Sequence, residues 1–413
     1  MLLESNQENK NLVVLFLLFC INPILGIIIL TIFILYSKKV SSNRPLNFLF
    51  LMMAIYMGLL NATKIPASDQ IQYMNAYLLV PQQSIWASLT NIYGEHYNGA
   101  GTTKEMGYGF LNIIGYIFSL GYYPLFILEF TICLYMLCFN AIKRLFVVIR
   151  PQNYYSLVIA SAYVMCFFSQ YFNLTIHLQR QEIATAVMLY GIVDYCVSRN
   201  FTLKKFLIPL VAVSLHTSLG LFLPLFCIRK CCKNQIGKKQ LFVILGCIVV
   251  IISFCTLVAK ALLSSLGSDS YALERLSEAG SSNEESFSYG FLLLFTLPLL
   301  LITARNIIKK TFVDNTCEYL FYIFYFTLVA FYLITPDATM QYRYYMMSYS
   351  FWPFIIPLLF RKRSMYQTVV LTSLCTFLFL RFFITFESMA WHYTSVENAL
   401  TCNVFSLFMK NSF

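Results

Sequence analysis

The chain has 413 residues, of which 59% are hydrophobic, 17% aromatic and only 11% charged. Apolar runs of roughly 17 to 25 residues recur along it, long enough to cross a hydrocarbon core of about 30 Å as helices. This composition excludes a soluble globular protein. It predicts an all-α, polytopic membrane protein with a single domain over residues 1–413.

The basic residues are concentrated in short segments between the apolar runs, which is the positive-inside pattern. The formal net charge is +11, and most of the 29 lysines and arginines lie in six such segments. The segments are residues 38–44, 143–150, 199–205, 229–239, 305–310 and 361–363. We expect these segments to face the cytoplasm. The positive charge therefore gives no reason to expect nucleic acid as a partner.

In chain order, the apolar runs predict about ten spans of alternating direction. They are residues 12–36, 46–60, 122–142, 154–171, 183–197, 241–263, 289–304, 319–334, 344–360 and 366–384. The alternation places loops near residues 61–121 and 264–288 on the outer side of the membrane.

Two segments do not fit the pattern of a plain span. Residues 206–228 have basic clusters at both ends, so a single crossing would break the alternation. A re-entrant hairpin of two half-helices, with His216 at its apex, restores it; the alternative is one span with a loop that violates the charge rule. Residues 106–120 carry an apolar stripe at every third position from Tyr108, interrupted by glycines, and predict an interfacial or re-entrant helix.

Two arginines stand out on the predicted outer side. An ionised side chain at membrane depth costs about 2.5 to 3.5 kcal/mol on insertion scales, so it usually faces a cavity, a substrate or a partner. Arg180 and Arg343 are candidate clamps for a diphosphate, because a guanidinium presents a fixed fork of donors to phosphate. For Arg180, the alternative is an ion pair with Glu182, Glu129 or another buried acid. For Arg343, the alternative is snorkelling to the interface.

Other polar and aromatic residues on the same side are candidates for chemistry. Asp69 and Glu105 are candidate general bases, because a low-dielectric surface can raise the pKa of a carboxyl group toward neutrality. Either is otherwise a solvated loop acid. Tyr73 and Tyr108 suit stacking on sugar rings or an interfacial aromatic belt. His216 could accept a proton, hydrogen-bond a phosphate, or satisfy the end of a half-helix.

Motifs for a metal or a cofactor are absent from the sequence. The 13 cysteines show no CxxC spacing, so neither a disulfide framework nor a zinc site is indicated. There is also no Gly-rich phosphate loop, no HExxH and no nucleophile elbow. We therefore predict neither a metal nor a cofactor.

Four sequence pieces carry a family resemblance. They are SDQIQYMNAY (Asp69, Tyr73), KEMGYGFLN (Glu105, Gly107, Asn112), LQRQEIATA (Arg180, Gln181, Ala184) and SLHTSLGLFLPL (His216, Ser218, Pro224). Their order and spacing resemble the EpsG-like branch of the Wzy-type O-antigen and exopolysaccharide polymerases. Met106 departs from the proline usual in that family. The C-terminal half offers only Arg343 before an aromatic run as a match.

The resemblance implies a helical architecture similar to the GT-C class of membrane glycosyltransferases. It implies a metal-independent enzyme of the bacterial inner membrane, with its active site facing the periplasm. Such an enzyme joins undecaprenyl-diphosphate-linked repeat units into O-antigen or a related polysaccharide, with the bilayer, a chain-length regulator and a flippase as partners.

The resemblance also implies roles for the candidate residues. Arg180 and Arg343 would bind the departing diphosphate, because fixed positive charge favours a leaving group that gains negative charge. His216 would orient or protonate that group, and Asp69 or Glu105 would activate the acceptor hydroxyl. A flippase of lipid-linked oligosaccharide and a surface-polymer ligase are the alternatives. Charge collected on one side of the membrane favours an enzyme over a flippase.

Overall fold

The computed structural model describes most of the chain, and all of the secondary structure in the described residues is helical. The described residues are 2–36, 43–90, 105–149, 153–198, 202–231, 236–265, 315–334, 338–358, 360, 364–389 and 391–410, with the single residues 296, 300 and 304. The predicted all-α class is confirmed. Most of the predicted outer loop 264–288 and of the predicted span 289–304 lies outside the described residues.

The described residues of the first half of the chain form the helices α1 to α10. They are α1 (Leu2–Ile21), α2 (Pro23–Tyr36), α3 (Arg44–Ala62), α4 (Asp69–Leu78), α5 (Ile85–Thr90), α6 (Met106–Phe118), α7 (Tyr123–Ile149), α8 (Tyr154–Phe167), α9 (Ser169–His177) and α10 (Gln179–Val197). A short 3₁₀ helix, Val80–Gln82, follows α4.

The described helices of the second half begin with α11. They are α11 (Leu203–Leu215), a 3₁₀ helix (Thr217–Cys227), α12 (Ile228–Cys231), α13 (Lys238–Ser265), α14 (Asn315–Ile334), α15 (Ala338–Tyr349), α16 (Trp352–Leu358), α17 (Met365–Ile384), α18 (Val396–Thr401) and α19 (Val404–Phe408).

Several of these helices are long and apolar enough to cross a membrane. Among the described residues they are α3, α7, α14 and α17, and the bent pair α8–α9 makes a fifth if it is counted as one span. The pair bends by 61°, at Phe168 between the two helices. The chain is therefore a multi-pass membrane protein. The expected total of ten spans and the GT-C-like arrangement stay predictions.

The predicted span 12–36 is wrong as a single helix, because the chain breaks at Asn22 between α1 and α2. Pro23, which cannot continue the hydrogen bonds of α1, begins α2. A Cβ atom at Gly26 would lie 2.7 Å from the Cα atom of Phe19. Glycine thus lets the two helices turn sharply against each other. The predicted span 344–360 is divided in the same manner, into α15 and α16.

The helix α10 occupies the centre of the described bundle, where it packs against α7, α11 and α14. It carries Arg180, Glu182 and Asp194 within 19 residues. Residues outside α10 supply ion-pair partners for Arg180 and Asp194, whereas both carboxyl oxygens of the buried Glu182 have no hydrogen-bond partner among the described residues.

The segment after α10 doubles back on itself. Arg229, at the end of the second arm, donates to the carbonyl of Ser198, where α10 ends. His216 lies between the arms in an extended conformation (φ −154°, ψ 112°). It contacts Glu105, which also binds Arg180 at the opposite end of α10. The two arms therefore run along α10 and return, in agreement with the predicted hairpin and not with one straight helix.

The predicted interfacial helix 106–120 corresponds to α6. Its 13 residues extend roughly 20 Å, too short to cross the hydrocarbon core. A Cβ atom at Gly107 would lie 2.4 Å from Oγ of Ser214 and 2.8 Å from the carbonyl carbon of Ser214. The start of α6 thus rests directly on the end of α11, two residues before His216.

Candidate functional site

The carboxylate of Glu105 is the centre of the candidate site. Its Oε2 atom forms an ion pair with Nη1 of Arg180. Its Oε1 atom lies 2.8 Å from Nδ1 of His216. The same atom accepts hydrogen bonds from the backbone N–H and the hydroxyl of Thr217, at 3.0 and 3.2 Å. Because a carboxylate can only accept, His216 donates from Nδ1.

This group of Arg180, Glu105 and His216, the Glu105 cluster, is largely but not completely buried. The side chains of Arg180, Glu105 and His216 are 12%, 9% and 11% exposed. Each member lies at the end of a helical element: Glu105 before α6, Arg180 in the first turn of α10, and His216 at the break after α11. The interiors of the helices can thus stay apolar while their ends bring charge together.

The acidic partner of Arg180 is Glu105. The alternative expected for Arg180 was an ion pair with Glu182, Glu129 or another buried acid. An ion pair with another buried acid is confirmed, because Glu105 pairs with Arg180, whereas neither Glu182 nor Glu129 does so in the described part of the chain. Glu105, one of the two candidate bases, is thus the residue that holds Arg180.

The pKa of Glu105 also differs from the expectation for a general base. Burial alone raises this pKa, but the hydrogen bonds from His216 and Thr217 and the positive charge of His216 outweigh burial, so the pKa lies below its ordinary value of 4.5. The expected shift toward neutrality was therefore wrong in direction. At neutral pH, Glu105 is a carboxylate with both oxygens engaged, which favours a positioning role over proton transfer.

The two tyrosines proposed for sugar stacking pack beneath Arg180. The Nε atom of Arg180 donates to the Tyr73 hydroxyl at 3.3 Å, and its Cζ atom lies 5.5 Å from the centroid of the Tyr73 ring. The Tyr73 and Tyr108 rings are 5.4 Å apart, and these residues are only 2% and 0% exposed. Neither ring presents a free face to a sugar. Instead, Tyr108 donates to Gln179 at 2.5 Å, and Gln179 donates to the Tyr123 hydroxyl at 3.0 Å.

Asp69 lies beside the Glu105 cluster and is not hydrogen-bonded to it. It is half-buried at the start of α4, one turn before Tyr73, and its charge acts on the Tyr73 hydroxyl. No hydrogen bond or ion pair engages its carboxylate within the described ranges. Ser68, just before it, has a φ of 51°, which residues with a side chain rarely adopt. Asp69 is thus an acid with open oxygens whose charge reaches Tyr73, the tyrosine that Arg180 contacts.

Arg343 lies on α15 close to the start of α10. Its carbonyl oxygen accepts a hydrogen bond of 3.3 Å from Nε2 of Gln181. The Arg343 side chain is exposed and does not belong to the Glu105 cluster. The structure therefore brings the backbone of Arg343 near the site, while its predicted contact with a diphosphate stays a prediction.

Sequence reasoning assigned no role to Lys64. This lysine is completely buried, and its Nζ atom lies 4.8 Å from the centroid of the Trp391 ring. The Nζ atom has no hydrogen-bond partner among the described residues, and burial lowers the pKa of Lys64 to about 7. The imidazole of His177 stacks on the same tryptophan at 4.1 Å. The sequence offered one signal that Lys64 is unusual. It directly follows the outer end of a predicted span, where basic residues are depleted.

A model of the EpsG family matches residues 67–395 of the chain. The match includes every candidate residue, from Asp69 to Arg343. No curated protein and no solved structure shows significant similarity to the chain.

Proposed function

The chain belongs to the EpsG family, and on this basis we propose that it polymerises undecaprenyl-diphosphate-linked oligosaccharide repeat units at the periplasmic face of the bacterial inner membrane. The product is O-antigen or a related surface polysaccharide. Family membership supports the coarser statement, a membrane protein of the polysaccharide-polymerase type. The Glu105 cluster supports the chemistry.

The observation that carries the proposal is the position of Arg180. A guanidinium in the first turn of a helix lies where the helix dipole is positive, so the arrangement disfavours a cation and attracts an anion. Glu105 and Tyr73 hold this guanidinium in place before any substrate arrives. Such preorganised positive charge stabilises a diphosphate as it leaves a sugar.

The proposed reaction breaks the bond between the anomeric carbon of the growing glycan and its diphosphate. An acceptor hydroxyl attacks that carbon, and the electron pair of the broken bond passes to the diphosphate oxygen. Arg180, assisted by Arg343, stabilises the departing charge, and His216 hydrogen-bonds to the leaving group. Asp69 receives the proton of the acceptor hydroxyl, because its oxygens are open whereas those of Glu105 are engaged.

Glu105, Tyr73 and Tyr108 are positioning residues in this mechanism. Glu105 sets the orientation of both Arg180 and His216 through its two oxygens. Tyr73 contacts Arg180 directly, and Tyr108 anchors the preceding residue, Gln179. Rigid support of this kind matters because a misplacement of about 1 Å can reduce a rate by roughly 100-fold.

The first test is deletion of the gene in the native strain, followed by gel analysis of the surface glycan. A polymerase predicts that a single capped repeat unit replaces the ladder of polymer. Loss of the first repeat as well would indicate a flippase instead. A persisting ladder of lipid-linked polymer would indicate a ligase.

A charge exchange separates binding of the diphosphate from simple helix packing. Arg180→Met alone leaves Glu105 without its arginine, which costs about 3 to 5 kcal/mol for a buried pair and can remove the protein from the membrane. The double variant Arg180→Glu/Glu105→Arg retains an ion pair between the same positions. We expect it to recover membrane level without recovering the ladder, because the cation has moved. Recovery of both would assign a purely structural role to the pair.

A further inference from the structure

An apolar groove of about 290 Å³ lies between α6 and α7. Leu111 and Ile114 of α6, Phe130 and Cys133 of α7, and Ile183 of α10 are among the residues that line it. We call it the α6–α7 groove. It is open along one side, and its most exposed lining side chains, Ile114, Phe118 and Cys133, are apolar.

The opening of the α6–α7 groove continues onto an exposed apolar surface of α6. Phe118, which also lines the groove, is 71% exposed, and Ile117 beside it is 63% exposed. In a membrane protein, an apolar surface of this kind is expected to face lipid, since contact with water would be unfavourable. A ligand can therefore enter the groove from the hydrocarbon phase.

The groove begins next to the Glu105 cluster. Ile183 follows Arg180 by three residues on α10, a rise of roughly 4.5 Å. Leu111 follows Glu105 by six residues along α6, a rise of roughly 9 Å. The groove therefore lies within about two helical turns of the Glu105 cluster along both α6 and α10.

The shape of the groove depends on a close approach between its two walls. A Cβ atom at Gly115 of α6 would lie 2.2 Å from Cε2 of Phe126 on α7. Glycine at this position lets the Phe126 ring pack directly against the backbone of α6. The shape of the groove is therefore set by Gly115 together with the position of the Phe126 ring.

Glu129 is the acidic residue in the groove wall. It lies within the span α7 and makes no hydrogen bond or ion pair with the residues that the structure describes. When ionised, its carboxylate repels a second anion, so the charged head of an ordinary anionic lipid is disfavoured inside the groove. An uncharged hydrocarbon chain carries no such penalty. The groove thus suits the tail of a lipid whose phosphates remain at Arg180.

We propose that the α6–α7 groove binds the first isoprenoid units of the lipid carrier whose diphosphate is held at Arg180. The identity of the carrier rests on the proposed function. The preference of the groove for an uncharged apolar chain over an anionic lipid rests on its lining alone.

The test uses the full-length protein in liposomes of phosphatidylethanolamine and phosphatidylglycerol. The probes are a diazirine-bearing farnesol and a diazirine-bearing phosphatidylglycerol, with peptide mapping after illumination. We expect farnesol to label the peptides of α6 and α7 around the groove, at least fivefold more than phosphatidylglycerol does. Equal labelling by the two probes would mean an ordinary lipid-facing surface and would overturn the proposal.

A matched pair of variants tests the location. Cys133→Trp fills the groove, whereas Cys247→Trp places the same ring on α13; both cysteines are exposed, and only Cys133 lines the groove. Farnesol labelling should fall about tenfold in Cys133→Trp and stay unchanged in Cys247→Trp. Ile114→Trp is a second blocking variant if Cys133→Trp does not fold. Unchanged labelling in a folded blocking variant overturns the proposal.

Competition by farnesyl diphosphate distinguishes a failure of the groove proposal from a failure of the proposed function. In the native protein it should compete at least tenfold better than farnesol. The double variant Arg180→Glu/Glu105→Arg, which is expected to keep its membrane level, should abolish that advantage while farnesol labelling persists. If farnesyl diphosphate shows no advantage but labelling still depends on Cys133, the diphosphate role of Arg180 fails and the groove stands. If the diphosphate advantage persists in the blocking variants, the tail binds elsewhere.

Discussion

The helix α10 carries an arginine–acid ion pair at each end, and the two pairs differ in their surroundings. At its C-terminal end, Arg144 of α7 pairs with Asp194, which also lies 3.4 Å from Nζ of Lys205. The Arg144 and Lys205 side chains are 35% and 36% exposed. At its N-terminal end, Arg180 is 12% exposed and Glu105 is 9% exposed. Asp194 itself is only 6% exposed, so the acids of both pairs are buried, and the pairs differ in the exposure of their cations.

The helix dipole explains why the two pairs have different consequences. Cations near a helix C-terminus are favourable, so Arg144 and Lys205 anchor α7 and α11 to the end of α10 at little cost. A cation near a helix N-terminus is unfavourable, and a buried ion pair adds little net stability. Stability alone therefore gives no reason for Arg180. A site that is prepared to bind a further anion gives a reason for a cation at this position.

The largest expected difference is between Arg180→Met and Arg144→Met. Loss of Arg180 should reduce polymer formation by about 100- to 1,000-fold, the usual effect of removing a donor to developing charge. Loss of Arg144 should change it by less than about threefold, because Lys205 still neutralises Asp194 and a cation near the C-terminus of α10 remains in place. The measurement is the ladder of surface glycan at equal membrane level of protein. Equal losses in the two variants would remove the distinction between the ends of α10.

A second difference is expected between Gly107→Ala and Gly246→Ala. A Cβ atom at Gly107 would lie 2.4 Å from Oγ of Ser214, whereas no heavy atom lies within 4 Å of one at Gly246. Gly107→Ala should separate Glu105 from His216, lower the free energy of unfolding by about 1 to 3 kcal/mol and reduce polymer formation at least tenfold. Gly246→Ala should be neutral or raise stability by up to about 1 kcal/mol. Thermal unfolding in detergent and the glycan ladder measure both effects. Normal activity in Gly107→Ala would show that the contact with α11 does not align the Glu105 cluster.

The third prediction concerns Lys64, a buried lysine that has no ion pair among the described residues, and its effect on the pH dependence of stability. Its pKa in the folded protein, about 7, lies below the ordinary value of 10.5. Between those values the unfolded chain binds the extra proton, so the stability of the native protein should rise with pH across this window. From pH 7 to pH 9 the gain should reach about 2 kcal/mol, and Lys64→Met should lack it. Unfolding midpoints at pH 7, 8 and 9 measure the difference. Parallel pH profiles for the two proteins would contradict the prediction.

The smallest effect on stability is expected for Arg343→Ala. Because its side chain is exposed, the free energy of unfolding should change by less than about 0.5 kcal/mol. Polymer formation should still fall several-fold if the side chain assists Arg180 at the diphosphate. An unchanged ladder would restrict the positive charge of the site to Arg180.

Local patterns in the sequence were sufficient to predict several features of the described fold. Apolar length predicted α3, α7, α14 and α17, because a membrane span is a property of consecutive residues. The charge pattern around 206–228 predicted that the chain turns at His216. The break at Asn22 was missed because the apolar run continues through it. Pro23 and Gly26 were its local signs.

The members of the candidate site were also predictable, whereas several of their contacts were not. Asp69, Glu105, Arg180 and His216 were identified by their position on the outer side and by family resemblance. The burial of Tyr73 was not visible, because an aromatic residue suits both a packed interior and an exposed binding face.

The sequence alone determined that this protein is a helical, multi-pass membrane protein with its unusual charges near the ends of its helices. Only the tertiary structure decided which of these charges meet. Glu182 is two residues from Arg180 and therefore points to a different side of α10. Glu105 is 75 residues away and pairs with it. Hydrophobic length is encoded by neighbouring residues, but a pairing across 75 positions depends on how whole helices pack, to which every buried contact contributes.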